Sequence, residues 1–339
     1  MPGREVVALS VASRILVNAE ALNMAESVGN VTRHRRAPVV VSSQGGGYSV
    51  FYVPAVSGES LAHHYQRLLA SIAAQMGLPV TRMDLQGFFL KYSSSEVIGK
   101  HYQEVGDVVK LAKPCDVEKR LVGASVVADV GGFLYTDKLV KRTSRIRFGY
   151  MLPALDAVEK GAVASYPQLH VRYSPEAVRE EQALYYVESG SSLYTLSAVL
   201  IASDIAELEY CENPDPELQR QKKSRVEAAV KALIAMLDGM AFGAKRSRYL
   251  PQWEVRSLLV GVSKGPVEYV VSPATRPSYV ESSAKRAKVV KEFAGASVEL
   301  HLYDSESLAI PDELKGFVVQ HGSHSEALKA AVERVLKMI

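Results

Sequence analysis

Apolar positions along the chain change period several times, and each change marks an element. Val6 to Val17 carries β-branched and small apolar residues with few charges, the pattern of a buried strand that opens a sheet. Pro38 to Val41 and Tyr48 to Val53 read as two strands around the turn Gln44-Gly45-Gly46-Gly47, a hairpin projecting from the core. Ser57 then precedes Leu61, Tyr65, Leu68, Leu69, Ile72 and Met76, which are spaced for one helical face, and a serine at the start caps the first turn. Gln168 to Tyr173 alternates like a half-buried strand, and Leu184 to Ile201 is a second long strand region interrupted near Gly190. Glu217 to Leu237 is a helix with Val226, Val230, Leu233, Ile234 and Leu237 inward, and Trp253 to Val262 returns as a strand.

The order strand, helix, two strands, helix, strand is that of a ferredoxin-like fold, an architecture shared with RNA-recognition domains. The predicted class is α+β, a modified RRM (ferredoxin-like) core with large inserted subdomains. Residues 1–76 and 166–265 make that core, with a hairpin and loop insertion at 19–53. Residues 77–165 show no single period, mixing helical patches such as Val105 to Leu111 with a loop at Asp129-Val130-Gly131-Gly132, and read as an inserted mixed subdomain. Ser282 to Phe293 as a basic helix, Ser297 to Tyr303 as a strand and Ser325 to Met338 as a helix build a C-terminal α/β extension, 266–339, packed on the core.

At 339 residues, 47% of them hydrophobic, the chain can bury a large core. A net charge of +3 does not announce a polyanion partner, but the distribution of charge is uneven. From Glu176 to Asp215 nine carboxylates face one base, Arg179, whereas bases gather at Arg33–Arg36, Lys138–Arg147, Arg220–Arg225 and Lys245–Arg248. Folded together, the bases would form one positive surface with an acidic surface elsewhere.

Most catalytic chemistries find no motif. There is no phosphate-binding Gly-x-x-x-x-Gly-Lys-Ser/Thr, no Gly-x-Ser-x-Gly elbow and no His-Glu-x-x-His. His63 and His64, adjacent on a helix, point apart, and His321 and His324 flank a Gly-Ser turn, so neither pair reads as a metal site. Cys115 and Cys211 are the only cysteines, far apart, and predict neither a metal site nor a disulfide, which fits a reducing cytoplasm. No signal-peptide core opens the chain and no apolar run reaches the roughly 18 residues of a membrane helix, so the expectation is a soluble cytoplasmic protein without membrane partners, metals or cofactors.

Two cassettes do carry chemistry: Lys141-Arg142-Thr143-Ser144-Arg145, and Lys245-Arg246-Ser247-Arg248 followed by Tyr249. Each combines cations, hydroxyls and a nearby aromatic, with Gly149 or Gly243 allowing close backbone approach, a mixture suited to phosphates with exposed bases. His170 and Arg172 alternate onto one sheet face and could stack on bases or hold phosphate. Asp129 is the one residue that invites a nuclease reading, as an activator of water or hydroxyl.

The segments Asn23 to Asn30, Thr32 to Arg35, Val56 to His63, Ala128 to Phe133, Arg142 to Ile146, His170 to Ser174 and Gly243 to Pro251 resemble the backbone subunit of the archaeal type I-A CRISPR Cascade complex, a DevR-like family of the RAMP superfamily. The similarity runs in order from about Val11 to Val260. The resemblance implies a non-catalytic scaffold, many copies of which line up head to tail along one CRISPR RNA and hold its spacer for pairing with a target DNA strand, among other Cascade subunits. It places Asn18 and His170 on an RNA-facing cleft, Lys245, Arg246 and Arg248 in a glycine-rich loop, and Arg33, His34, Arg35, Lys141, Arg142 and Arg145 in basic inserted loops. Under this reading the acidic stretch Glu176 to Asp215 meets a neighbour's basic surface or keeps RNA off the outer face. Two rivals stand beside it, a metal-dependent RAMP-type endoribonuclease using Asp129 and a DNA-binding regulator.

Overall fold

A computed structural model describes residues 5–43, 45–172 and 183–339. Strand β1 (Val6–Glu20) runs through the middle of the main sheet, its side chains almost all buried. A short ribbon follows, β2 (Met24–Val28) and β3 (Val31–His34), then the hairpin β4 (Arg36–Ser42) and β5 (Tyr48–Pro54). The ribbon lies in a segment that its sequence marks only as polar and basic. Helix α1 (Gly58–Gln75) starts where the Ser57 hydroxyl accepts from the Ser60 amide at 3.2 Å, and buries Leu61, Tyr65 and Leu69.

The insertion holds α2 (Arg82–Gln86), α3 (Ser95–His101), a 3-10 turn at Gln103–Lys110, α4 (Pro114–Ala124) and α5 (Val126–Gly131). Asp129 therefore lies inside a helix, capped at its start by Ser125, and not in the loop expected from its glycines. Short strands β6 (Phe133–Tyr135), β7 (Val140–Arg142), β8 (Ile146–Phe148) and β9 (Leu152–Pro153) lead to α6 (Leu155–Glu159). A separate apolar cluster including Tyr92, Ile98, Tyr102, Leu121 and Tyr135 gives the insertion its own interior.

The chain then re-enters the main sheet with β10 (Val163–Arg172) and the long β11 (Ala183–Ile201), crosses it with α7 (Pro216–Asp238) and returns as β12 (Gln252–Gly265). The last segment adds α8 (Tyr279–Ala294), β13 (Ser297–Asp304), α9 (Asp312–Lys315), β14 (Val318–His321) and α10 (His324–Met338).

Four strands run side by side in the order β12, β1, β11, β10, each antiparallel to its neighbour. Before Gly190 the edge of β11 that pairs with β1 takes up β3 in parallel, while its other edge carries β10, β9 and β8. At the far side β13 and β14 extend the sheet, which is mixed because β14 runs parallel to β13. Helices α1, α7 and α10 bury their apolar faces against one side of the sheet, and α8 covers the other side near β12 and β13. Arg14, on β1 and 1% exposed, pins this assembly: it donates to Asp156 of α6 at 2.8 Å and to Glu306, beyond β13, at 2.9 Å.

One covalent link departs from expectation. Cys115 of α4 and Cys211 form a disulfide across 96 residues of sequence. The two meet because Glu118, one turn further along α4, accepts from the amides of Glu209 and Tyr210 at 2.7 and 2.9 Å, holding that loop against the helix. Sequence spacing cannot register such a pairing.

Candidate nucleic-acid interface

The second cassette folds as a tight loop because Gly243 must. It has φ +92°, and a Cβ there would come within 2.5 Å of the Leu22 side chain, so only glycine lets the loop lie on the segment joining β1 to β2. The Ala244 amide donates to the Leu22 carbonyl at 2.7 Å, and the amides of Arg248 and Tyr249 fold back onto the Lys245 carbonyl. Tyr249 is thereby turned toward β10, where its hydroxyl meets His170 Nε2. His170 lies opposite Tyr185 in the β10–β11 register and stacks on its ring at 5.3 Å. Burial and Tyr185 push the Tyr249 phenol above its ordinary value, so it stays neutral.

These residues line an open cleft of about 310 Å³ bounded by His170, Tyr185, Val187, Lys245, Ser247, Arg248 and Tyr249. Among the described residues its lining holds two cations, two phenols, an imidazole and a hydroxyl, and no carboxylate. The opposite face of the same ribbon is different. There a larger cavity, about 640 Å³, is lined by Arg33, Arg35 and Arg36 together with Glu26 and Glu188. Arg36 pairs with Glu188 at 2.6 Å, Arg33 lies 3.8 Å from Glu26, and Arg35 donates to the Asn23 side chain at 3.0 Å. The alternation of β11 separates the faces: Tyr185 and Val187 point one way, Glu188 the other.

The family described as "CRISPR-associated negative auto-regulator DevR/Csa2" matches residues 11–284. The chain belongs to the DevR/Csa2 family. Similar proteins include "CRISPR-associated aCascade subunit Cas7/Csa2 2" of Saccharolobus solfataricus, 42% identical over 309 residues that cover 88% of this chain and 92% of that protein. "CRISPR-associated protein Cas7/Csa2 1" of the same organism is 39% identical over 264 residues, covering 76% and 80% of the two chains. Among solved structures, a chain of a "CRISPR RNA-guided surveillance complex, pre-nicking" shares the fold with a TM-score of 0.52 at 10% identity, over 97% of this chain and all of that one.

Within this DevR/Csa2 chain the structure sorts the sequence-derived residues. Asn18 is exposed at the end of β1, opposite Gln252. His170, Lys245 and Arg248 share the cleft, and Arg246 sits half-buried on the same loop with its Nε lacking an acceptor among the described residues. Lys141 is exposed on the insertion, away from these lining residues. Tyr185, the residue on which His170 stacks, was not read from the sequence as part of the site. The Arg172 side chain, Tyr173 and the acidic residues from 176 to 181 lie outside the described residues.

Three expected contacts are withdrawn from the surface. Arg142 is fully buried: it meets Asp129, and its other arm donates to Glu118 at 2.9 Å. Arg145 is 6% exposed and is spent on Glu209, at 2.8 Å, and on backbone carbonyls. His34 is buried against Glu20, with Nε2 2.8 Å from that carboxylate and Nδ1 2.8 Å from the Arg35 carbonyl. Both neighbours accept, so both ring nitrogens donate and the ring is an imidazolium. Burial opposes this charge, but Glu20 outweighs it, and His34 is held above the ordinary imidazole value while Glu20 is held below the ordinary carboxylate value.

Asp129 is equally closed off. It is fully buried between Arg142 and Arg225, the latter donating from Nη1 to Oδ2 at 2.9 Å, and it accepts the Ala206 amide. Burial disfavours its charge, yet the two guanidiniums hold its carboxyl below the usual range. No water or RNA hydroxyl can reach it. Among the described residues of the acidic stretch, Glu188, Glu207, Glu209 and Asp215 pair within the chain with Arg36, Lys222, Arg145 and Lys119. Among the described residues no group of three or more histidine, cysteine or acidic side chains could hold a metal, and no helix is long and apolar enough to cross a membrane.

Proposed function

We propose that this chain is a non-catalytic CRISPR RNA-binding scaffold, copies of which line up head to tail along the spacer in a Cascade complex and present it to a complementary DNA strand. The observation that carries the reading is the His170–Tyr249 cleft, where cations and stacked rings converge and no carboxylate lies among the described lining residues. Phosphate contacts of this kind ignore sequence, which suits a protein that must hold any spacer. The strand order β12, β1, β11, β10 with two helices on one face supports an RRM-like core, and relatives carrying the names aCascade subunit and Cas7/Csa2 support the setting. Burial of Asp129 removes the residue on which the nuclease rival depended.

Self-association has a support of its own. The β4–β5 hairpin packs Val39, Val41 and Val53 inward but leaves Tyr48 81% and Tyr52 69% exposed, with Val40 and Val50 beside them. A second copy is the partner that would cover such a face in a filament.

The test is a mobility-shift series with labelled single-stranded RNAs of unrelated sequence, with divalent metal present. Intact RNAs shifted with similar affinity support the scaffold, and the double charge reversal Arg246→Glu and Arg248→Glu weakens all of them alike and flattens the salt dependence. RNA cleavage, or unchanged affinity in that variant, refutes it. Because the matched family is described as an auto-regulator, duplex DNA serves as competitor, and preference for the duplex would favour a DNA-binding regulator.

A further inference from the structure

The Cys115–Cys211 bond takes no part in the cleft, yet it is placed for chemistry of its own. Both cysteines are half-buried, and they line an open groove of about 490 Å³ together with Lys113, Lys119, Glu212 and Asp215. A small thiol can enter that groove without unfolding the chain. Val117, Leu121 and Val122, fully buried in the insertion's own apolar cluster, hold α4 in place whether or not the bond is closed.

The two sulfurs have unequal surroundings. Helices α1, α3, α5 and α7 each open on a side-chain oxygen that accepts a first-turn amide, whereas α4 opens on Lys113, which makes no such cap. Cys115 follows directly, in the first turn behind Pro114, where the helix amides and dipole favour a negative charge. Its charged neighbours on α4 are Lys113, Asp116 and Lys119, the last held by Asp215 at 2.6 Å. Cys211 has no helix start behind it and shares its loop with Glu209 and the exposed Glu212, carboxylates that disfavour a thiolate there. Cys115 is therefore the better leaving group of the pair.

We propose that this bond is a site of thiol–disulfide exchange for a dithiol reductant, with a fixed polarity. The incoming thiolate attacks Cys211 Sγ, the bond between the cysteines breaks, and Cys115 Sγ leaves as a thiolate with the bonding pair. A mixed disulfide now joins Cys211 to the reductant. The reductant's second thiolate attacks its own sulfur in that bond, closes a disulfide within the reductant and releases Cys211. Two electrons pass to the chain, and the dithiol's two protons go to water and the released thiolates. Opening the bond loosens Cys211 to Pro214, while Glu118 keeps the Glu209 and Tyr210 amides and Asp215 keeps its cap on α7. The exchange thus adjusts the tie between α4 and the start of α7 in a folded chain, and it does not depend on the RNA-binding reading.

The test treats the oxidised, folded protein with free cysteine, a monothiol that cannot complete the second step, and quenches with a maleimide. Peptide mass spectrometry should find the added cysteine on Cys211 and the maleimide on Cys115, in at least about fivefold excess over the reverse pattern. Dithiothreitol should open the bond fully with the far-ultraviolet circular dichroism retained, and oxidised glutathione should close it again. The variants Cys211→Ser and Cys115→Ser give a second reading: at about pH 6 the thiol left at Cys115 should react with an aromatic disulfide about tenfold faster than the thiol left at Cys211. Equal or reversed labelling of the parent, or equal rates in the two variants, overturns the polarity. A bond that opens only at urea concentrations that unfold the chain overturns the site itself.

Discussion

Reduction of the Cys115–Cys211 bond should lower stability through the unfolded chain. The bond closes 96 residues, and a loop of that size removes about 4.7 kcal/mol of conformational entropy from the unfolded state. The folded state loses little on reduction, because Glu118 still holds the Glu209 and Tyr210 amides and Lys119 still meets Asp215 at 2.6 Å. Spread over an unfolding entropy of about 2.1 cal/mol/K per residue for 339 residues, the loss is a fall of about 6–7 °C in melting temperature. The assay is calorimetry of the parent with and without a phosphine reductant and of Cys115→Ser without it, with peptide mass spectrometry to verify the bond. Hydrogen exchange should quicken first in α4 and around Cys211, while β1 is unchanged. The reasoning fails if native protein alkylates at both cysteines without reductant, or if verified reduction leaves melting where it was.

Three further outcomes follow from the buried polar groups and the cleft loop. Asp129→Ala leaves Arg142 and Arg225 buried without their shared carboxylate and should cost about 3–5 kcal/mol in urea unfolding, with no effect on any RNA cleavage. The His34–Glu20 pair gives stability a two-sided pH dependence. His34, raised above 6.5, contributes fully below that value and loses its contribution as pH climbs through its raised value; Glu20, lowered from 4.5, contributes above that value and loses its share as pH falls through its lowered one. Thermal melts across pH should show both flanks, and His34→Gln should erase the alkaline one. Gly243→Ala should displace the cassette loop from Leu22 and weaken RNA binding severalfold while the far-ultraviolet circular dichroism is retained.

Periodicity exposed the scaffold well: β1, the β4–β5 hairpin, α1, β11, α7 and β12 lie where apolar spacing put them, within a few residues at their ends. Charge was a poorer guide. Lys141 to Arg145 and Lys245 to Arg248 are near twins in composition, yet Arg142 and Arg145 are buried and only the later cassette faces an open cleft. The difference lies in partners remote in sequence, Glu118, Asp129 and Glu209, which tertiary packing alone delivers. His34 was misread for the same reason: its alternation with Arg33 and Arg35 turns it toward Glu20, and a lone histidine between arginines carries no mark of that. Tyr249 was legible as the aromatic at the cassette's end, whereas Tyr185 becomes part of the site only through the register that sets it against His170.

β11 is one unbroken backbone of 19 residues whose two halves have different neighbours. The half beyond Gly190 is clamped between β1 on one edge and β8 and β9 on the other, and the half before it carries Tyr185 and Val187 between β3 and β10. The joint falls opposite the irregularity between Val17 and Glu20, and a side chain at Gly190 would strike the Glu20 carboxylate and the Tyr194 hydroxyl. The ribbon is therefore a lever whose pivot is a glycine seated on a buried acid. In the assembly proposed above, tension on an RNA held in the cleft would pass into the central sheet at this one joint in each copy.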